Sequence, residues 1–284
     1  IPANYIFIYG EFGMPALGGA GCGLATAIVY WVMFAGMLAY AYYSKHLKQA
    51  PLFTKFYWPQ WSEIKVILAL GTPIAFSLLF EVSLFAAVAI ILIPFGANVV
   101  ASHQIAINFS GLVFMVPLSL AMAVTIKVGF EVGNKNLEKA KELCRYSVIL
   151  GLIIAVATAA ATLIFKTQIA AIYTSDTEVL ELAAGLMFLA ALFQFSDAIQ
   201  VISAGALRGY KDTKSILYIT FFSYWVVGLS FGLILGLTDW IAPASGPYGF
   251  WIGFISGLTV AAVLLAWRLK VVQNRFDQQA ALAS

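Results

Sequence analysis

VILALGTPIAFSLLFEVSLFAAVAIILI, residues 66–93, runs for 28 residues with one charge, Glu81, near its middle. A helix crossing the hydrocarbon core of a bilayer needs about 20 predominantly apolar residues, and lipid-exposed backbone must satisfy its own hydrogen bonds, so this run predicts a spanning helix. At ~1.5 Å per residue it is ~42 Å long against a core of ~30 Å, so it must tilt or bend, and Pro73 predicts a kink.

Six further runs share that character: residues 19–43, 99–126, 146–165, 180–207, 216–237 and 249–269. The whole chain of 284 residues is 62% hydrophobic and 10% charged, with mean hydropathy +0.92. Soluble domains average about 45–50% apolar and about 25% charged residues, so this composition predicts an all-α polytopic membrane protein of about seven transmembrane helices, with the lipid bilayer as its solvent.

The net charge of +3 is no nucleic-acid footprint, because its distribution alternates along the chain. Fifteen of the sixteen basic residues fall in the first, third and fifth connections between these runs and in the C-terminal tail, leaving only Lys166 on the opposite side. The positive-inside rule makes those four segments cytoplasmic, which puts residue 1 outside and the C-terminus inside. Cys22 and Cys144 then lie at opposite ends of their helices and predict no disulfide between them. No initiator Met or signal peptide stands before Ile1 although the chain opens on the outer side, so an upstream part is expected.

These readings divide the chain into an outside loop at 1–18, a helix at 19–43, a connection at 44–64, a six-helix body at 65–272 and a cytoplasmic tail at 273–284. The connection carries Pro51, Pro59, three lysines and a cluster of Phe, Tyr and Trp, which suits an interfacial linker and equally an ordinary aromatic belt. After a Gly-Asn breaker, residues 137–145 read as a solvated continuation of the fourth span.

Enzyme chemistry finds no footing. GGAGCG at 18–23 lacks the G-x-G-x-x-G spacing and follows no strand, no G-x-x-x-x-G-K-[ST] stretch occurs, and His46 and His103 are flanked by no metal-ligand or nucleophile constellation. No cofactor is expected, and His103 reads as a hydrogen-bonded neighbour of Gln104.

Chemistry concentrates instead on two acids. Of thirteen, only Glu81 and Asp197 sit well inside apolar runs, where a carboxylate costs ~2.5–3.5 kcal/mol on insertion scales. No Lys or Arg lies within either run, so the balancing charge is expected to be mobile: a proton, a metal cation such as Na⁺, or a cationic substrate. Gln104, Asn108, Gly111 and Met115 form a narrow stripe on one helix, and Gln194, Asp197 and Gln200 repeat at three-residue spacing on another. Their amides suit a small hard cation, and they also suit interhelical hydrogen bonding. Pro73 frees a carbonyl near Ser77 and Glu81, either for an ion or simply to accommodate a kink. Phe85, four residues after Glu81, offers a ring for cation-π attraction.

LGTPIAFSLLFEVSLF, ASHQIAINFSGLVFMVPLSLAMAVTIKVGFEVGNKN and FQFSDAIQVISAGALRGYKDT, after the aromatic linker, together resemble the multidrug and toxic compound extrusion family, NorM branch, over the whole chain. The resemblance implies a bacterial inner-membrane antiporter of twelve helices in two lobes, exporting cationic amphiphilic drugs, antibiotics among them, in exchange for Na⁺ or H⁺. Residues 19–43 then close the N-terminal lobe, the missing partner of this chain, and the last six helices form the C-terminal lobe. It also implies a cation site at Glu81 and Asp197, with Phe85 and Gln104 at motif positions and Phe193 where some members carry an aromatic hydroxyl. The rivals are a lipid or oligosaccharide flippase of related architecture, disfavoured by acidic intramembrane charge, a seven-helix receptor, and a channel. A retinal protein is disfavoured because the last helix has no mid-membrane lysine.

Overall fold

The computed structural model describes residues 2–10, 15–43, 58–241 and 243–283, and these are nearly all helical, with no strand among them. The elements are α1 (Pro2–Tyr9), α2 (Gly18–Tyr43), α3 (Trp61–Ile91), a 3-10 turn (Ile93–Phe95), α4 (Ala97–Gly133), α5 (Leu137–Tyr173), α6 (Thr177–Gly209), α7 (Thr213–Phe221), a π-helical stretch (Phe222–Leu229), α8 (Ser230–Leu237) and α9 (Pro247–Ala283). The π stretch joins α7 and α8 into one span, so among the described residues seven helices are long and apolar enough to cross a bilayer, each over one of the predicted runs.

The differences lie at the ends. Hydropathy stops at the first charges, whereas a helix continues as long as its backbone is satisfied, so α4 extends to Gly133 and α9 absorbs the expected tail up to Ala283, while α5 begins at Leu137 as the solvated continuation of the fourth span. Part of the expected outside loop is the short helix α1; PANYIFIY starts with proline, tolerated in a first turn, and at ~12 Å cannot span. Of the expected 44–64 linker, residues 44–57 lie outside the described residues, and Trp61 already opens α3.

The chain divides into two compact units, Ile1–Gln60 and Trp61–Ser284. In the first, α1 packs on α2, and the Leu17 amide donates to the Phe7 carbonyl at 3.1 Å.

In the second, α6 is the central helix, packed against α4, α5 and α9. Its sequence from Ser203 to Gly209 is mostly Ala, Gly and Ser, which lets neighbouring backbones close in where lipid supplies no hydrophobic drive. At Gly205 a Cβ would stand 2.6 Å from the Ala121 carbonyl oxygen of α4, and Thr125 of α4 donates its hydroxyl to the Gly205 carbonyl at 2.8 Å. Gly253 of α9 makes an equally close approach to Gly228 and Gly232. Phe250, Trp251 and Phe254 fill the core beside that crossing, each no more than 1% exposed. α3 lies against α7, and the outward faces carry lipid-compatible side chains such as Ile67, Ile153 and Ile164.

α4, α5 and α9 have 37 residues each, ~55 Å if straight, well beyond a ~30 Å core. Their excess is polar and tied together at one end. Lys141 at the start of α5 pairs with Glu138 at 3.0 Å and with Asp277 of α9 at 2.7 Å, and Lys139 pairs with Glu131 of α4 at 3.1 Å. Nearby, Arg268 of α9 donates to Asp212 at 2.6 Å.

Candidate functional site

A cavity of about 430 Å³ opens within the second unit, walled by α3, α4, α6 and α9. Helical periodicity makes each wall. α3 contributes Leu78, Glu81, Val82 and Phe85 at i, i+3, i+4 and i+7, and α6 contributes Asp197, Gln200, Val201, Ala204 and Arg208 in the same register continued to i+11. α4 supplies Gly111, Phe114 and Leu118 among others, and α9 supplies Trp251.

Glu81 and Asp197, 116 positions apart in the chain, thus face one space. Neither carboxylate accepts a hydrogen bond or forms an ion pair among the described residues. Apolar and aromatic surface surrounds them. The Phe85 ring centroid lies 6.4 Å from that of Phe193 and 5.0 Å from that of Phe254, and Phe193 lies 6.2 Å from Trp251, all at steep interplanar angles. Trp251 is itself anchored, its indole N–H donating to Nδ1 of the buried His103 at 3.3 Å. That indole, rather than Gln104, is the histidine's partner.

One expectation is overturned. Arg208 belongs to the last turn of α6, not to a connection, and its side chain lines the cavity that holds both acids. It stands eleven residues after Asp197, three helical turns along the same face. A run ending at Leu207 hides it, because hydropathy ends a span at the first charge; the i+11 spacing is the signal that finds it. The charge lining the cavity is therefore two carboxylates with one guanidinium, and a purely acidic cavity no longer separates this protein from a flippase.

The other predicted residues disperse. Phe85, Phe193 and Gln200 line the cavity, and Gln200 Oε1 is buried without a hydrogen-bond partner. Gln194 turns behind it, its amide donating to Thr162 of α5 at 3.1 Å. Gln104 and Asn108 lie on the exposed side of α4, outside the cavity, with the Asn108 amide donating to the Gln104 carbonyl at 2.8 Å. Gly111 of the same predicted stripe does line it, while Met115 is 56% exposed. Ser77 is buried and donates to the Pro73 carbonyl at 2.8 Å, so that oxygen is already engaged. The bond lost to Pro73 is the one its missing N–H would have made to residue 69, one turn away from Ser77 rather than toward it.

Tyr224, on the π stretch, is a further residue that periodicity does not single out. Its hydroxyl is fully buried without a hydrogen-bond partner. Single-turn π geometry recurs at functional sites but has no sequence signature comparable to hydrophobic spacing. Among the described residues no three His, Cys, Asp or Glu side chains come together, so the donor set does not fit a tightly held transition metal. Two carboxylates and an amide oxygen suit a cation that comes and goes.

A family model described as MatE matches residues 73–234. The multidrug resistance protein NorM of Photobacterium profundum is 52% identical over 278 residues, 98% of this chain and 61% of that protein. The multidrug resistance protein MdtK of Yersinia pseudotuberculosis serotype O:1b is 52% identical over 275 residues, 97% of this chain and 60% of its own length. This chain thus spans about three fifths of the curated relatives it matches. The crystal structure of the eukaryotic MATE transporter AtDTX14 superposes with a TM-score of 0.83 at 18% identity, over 98% of this chain and 61% of that one, a likeness of fold.

Proposed function

The chain belongs to the MatE family of multidrug efflux transporters, and from that premise we propose that it is the C-terminal portion of an antiporter exporting cationic amphiphilic drugs in exchange for Na⁺ or H⁺. The intact protein sits in the bacterial inner membrane with the C-terminus in the cytoplasm, the orientation the basic connections favour. The observation that carries the reading is the pair of carboxylates, Glu81 on α3 and Asp197 on α6, facing one largely apolar cavity without a direct partner.

Such a cavity separates two tasks. The rings of Phe85, Phe114, Phe193 and Trp251 take the lipophilic body of a substrate, adding cation-π attraction to apolar burial. The carboxylates take its charge. Na⁺ or H⁺ binds the same oxygens, so its arrival weakens the hold on the drug, and differential occupancy of one site couples the two fluxes. Alternating access requires the cavity to close against a second lobe, so these rings and carboxylates act only with the rest of the transporter.

Efflux of a fluorescent lipophilic cation from cells expressing the full-length protein tests this. Glu81→Gln and Asp197→Asn are each expected to abolish ATP-independent efflux at unchanged expression, and Na⁺ varied at fixed pH identifies the coupling ion. Wild-type efflux rates in both variants would refute the assignment.

A further inference from the structure

Arg208 is the half-buried charge that the exchange scheme leaves unused. It lines the same cavity as Glu81 and Asp197, yet among the described residues it forms no ion pair, and its Nε is buried without a hydrogen-bond partner. Glu81 lines the same cavity, so the two opposite charges attract across the intervening space. A partly buried guanidinium whose Nε lacks a partner is costly, as is a carboxylate without donors, so both ends of this gap gain by closing it. Opposing that closure, Arg208 sits in the last turn of α6, where the helix dipole favours a cation. The long side chain therefore has two favourable placements, at the helix end and at the acids.

We propose that Arg208 is a tethered counter-cation of the Glu81–Asp197 site: its guanidinium competes with the mobile cation for the carboxylates and thereby sets how tightly that cation is held. This rests on the reading of the cavity as a cation site. Two unopposed carboxylates in a low-dielectric pocket would grip a lipophilic cation too well for release, and transport requires binding weak enough to leave. A positive charge on the order of 10 Å away, at an effective dielectric of about 20, weakens cation binding about tenfold. Arg208 is thus a specificity-determining residue that disfavours cations too weakly bound to displace it.

The test uses the full-length transporter in detergent and in proteoliposomes, with tetraphenylphosphonium as the probe at fixed Na⁺ and pH. Arg208→Gln and Arg208→Met are expected to lower the dissociation constant about tenfold and to slow efflux, a divergence that general structural damage does not produce. Arg208→Lys, which keeps the charge, is expected to stay within about threefold of wild type. Unchanged or weaker binding in a monodisperse charge-removing variant overturns the proposal. A wild-type measurement stands independently of variant folding. Saturating tetraphenylphosphonium should push Arg208 off the acids and accelerate its modification by phenylglyoxal, read by mass spectrometry, with Arg145 and Arg275 unaffected; an unchanged or slowed rate overturns the proposal. Failure of the underlying reading looks different: wild type and Glu81→Gln would then bind the probe equally, or not at all.

Discussion

Replacing Gly205 by alanine perturbs the crossing that holds α6, and with it Asp197 and Arg208, against α4. The new Cβ would stand 2.6 Å from the Ala121 carbonyl oxygen and 3.1 Å from its Cα. Ordinary contact begins near 3.4 Å, and the obstacle is backbone, so the two helices must part by most of an ångström. Overpacking of this kind costs about 1–3 kcal/mol, and the Thr125–Gly205 hydrogen bond, worth about 1 kcal/mol, is strained as well. Against this, alanine gains up to ~1 kcal/mol of helix propensity over glycine. The net loss is about 1–3 kcal/mol, which at ~2–4 °C per kcal/mol lowers the melting temperature by about 2–12 °C. Gly129→Ala is the control on the same crossing, because its Cβ would meet nothing closer than 3.6 Å, and it is expected to be neutral or slightly stabilising. Thermal unfolding of the full-length protein, followed by fluorescence-detected size exclusion, measures both. Equal or higher stability of Gly205→Ala, or identical behaviour of the two variants, would refute the close-crossing account.

Two further outcomes concern the aromatic wall. Phe85→Ala removes a ring that touches the cavity and two neighbouring rings, and it should weaken tetraphenylphosphonium binding to the full-length protein by about 0.5–2 kcal/mol, roughly 2- to 30-fold by equilibrium dialysis, while Phe85→Tyr retains most of it. Trp251→Phe deprives the buried His103 of its donor and should cost about 1–3 kcal/mol in a thermal unfolding assay; adding His103→Leu, which removes the orphaned acceptor, should recover part of that loss, and a double variant less stable than the single one counts against the bond.

Glu81 and Asp197 are legible in the sequence because a carboxylate inside an apolar run is conspicuous, and the same contrast locates every spanning helix. That contrast also misplaces Arg208: hydropathy reports where a run ends, not where the helix does, and a long cationic side chain at a helix end can reach back inward. The His103–Trp251 bond joins residues 148 positions apart and emerges only from packing. Gln104 and Asn108 share a predicted stripe with Gly111, but a stripe on a helix says nothing about which neighbour it meets. The π stretch around Tyr224 has no periodic signal at all, since one wide turn leaves the surrounding apolar pattern nearly intact.

The polar overhang shared by α4, α5 and α9 has a practical side. Lys139, Lys141, Glu131 and Asp277 cross-link it beyond the apolar spans, so a detergent belt covering those spans leaves a rigid grip above the micelle. An antibody fragment raised against that grip would give particle images a fixed landmark without touching the cavity that holds Glu81 and Asp197.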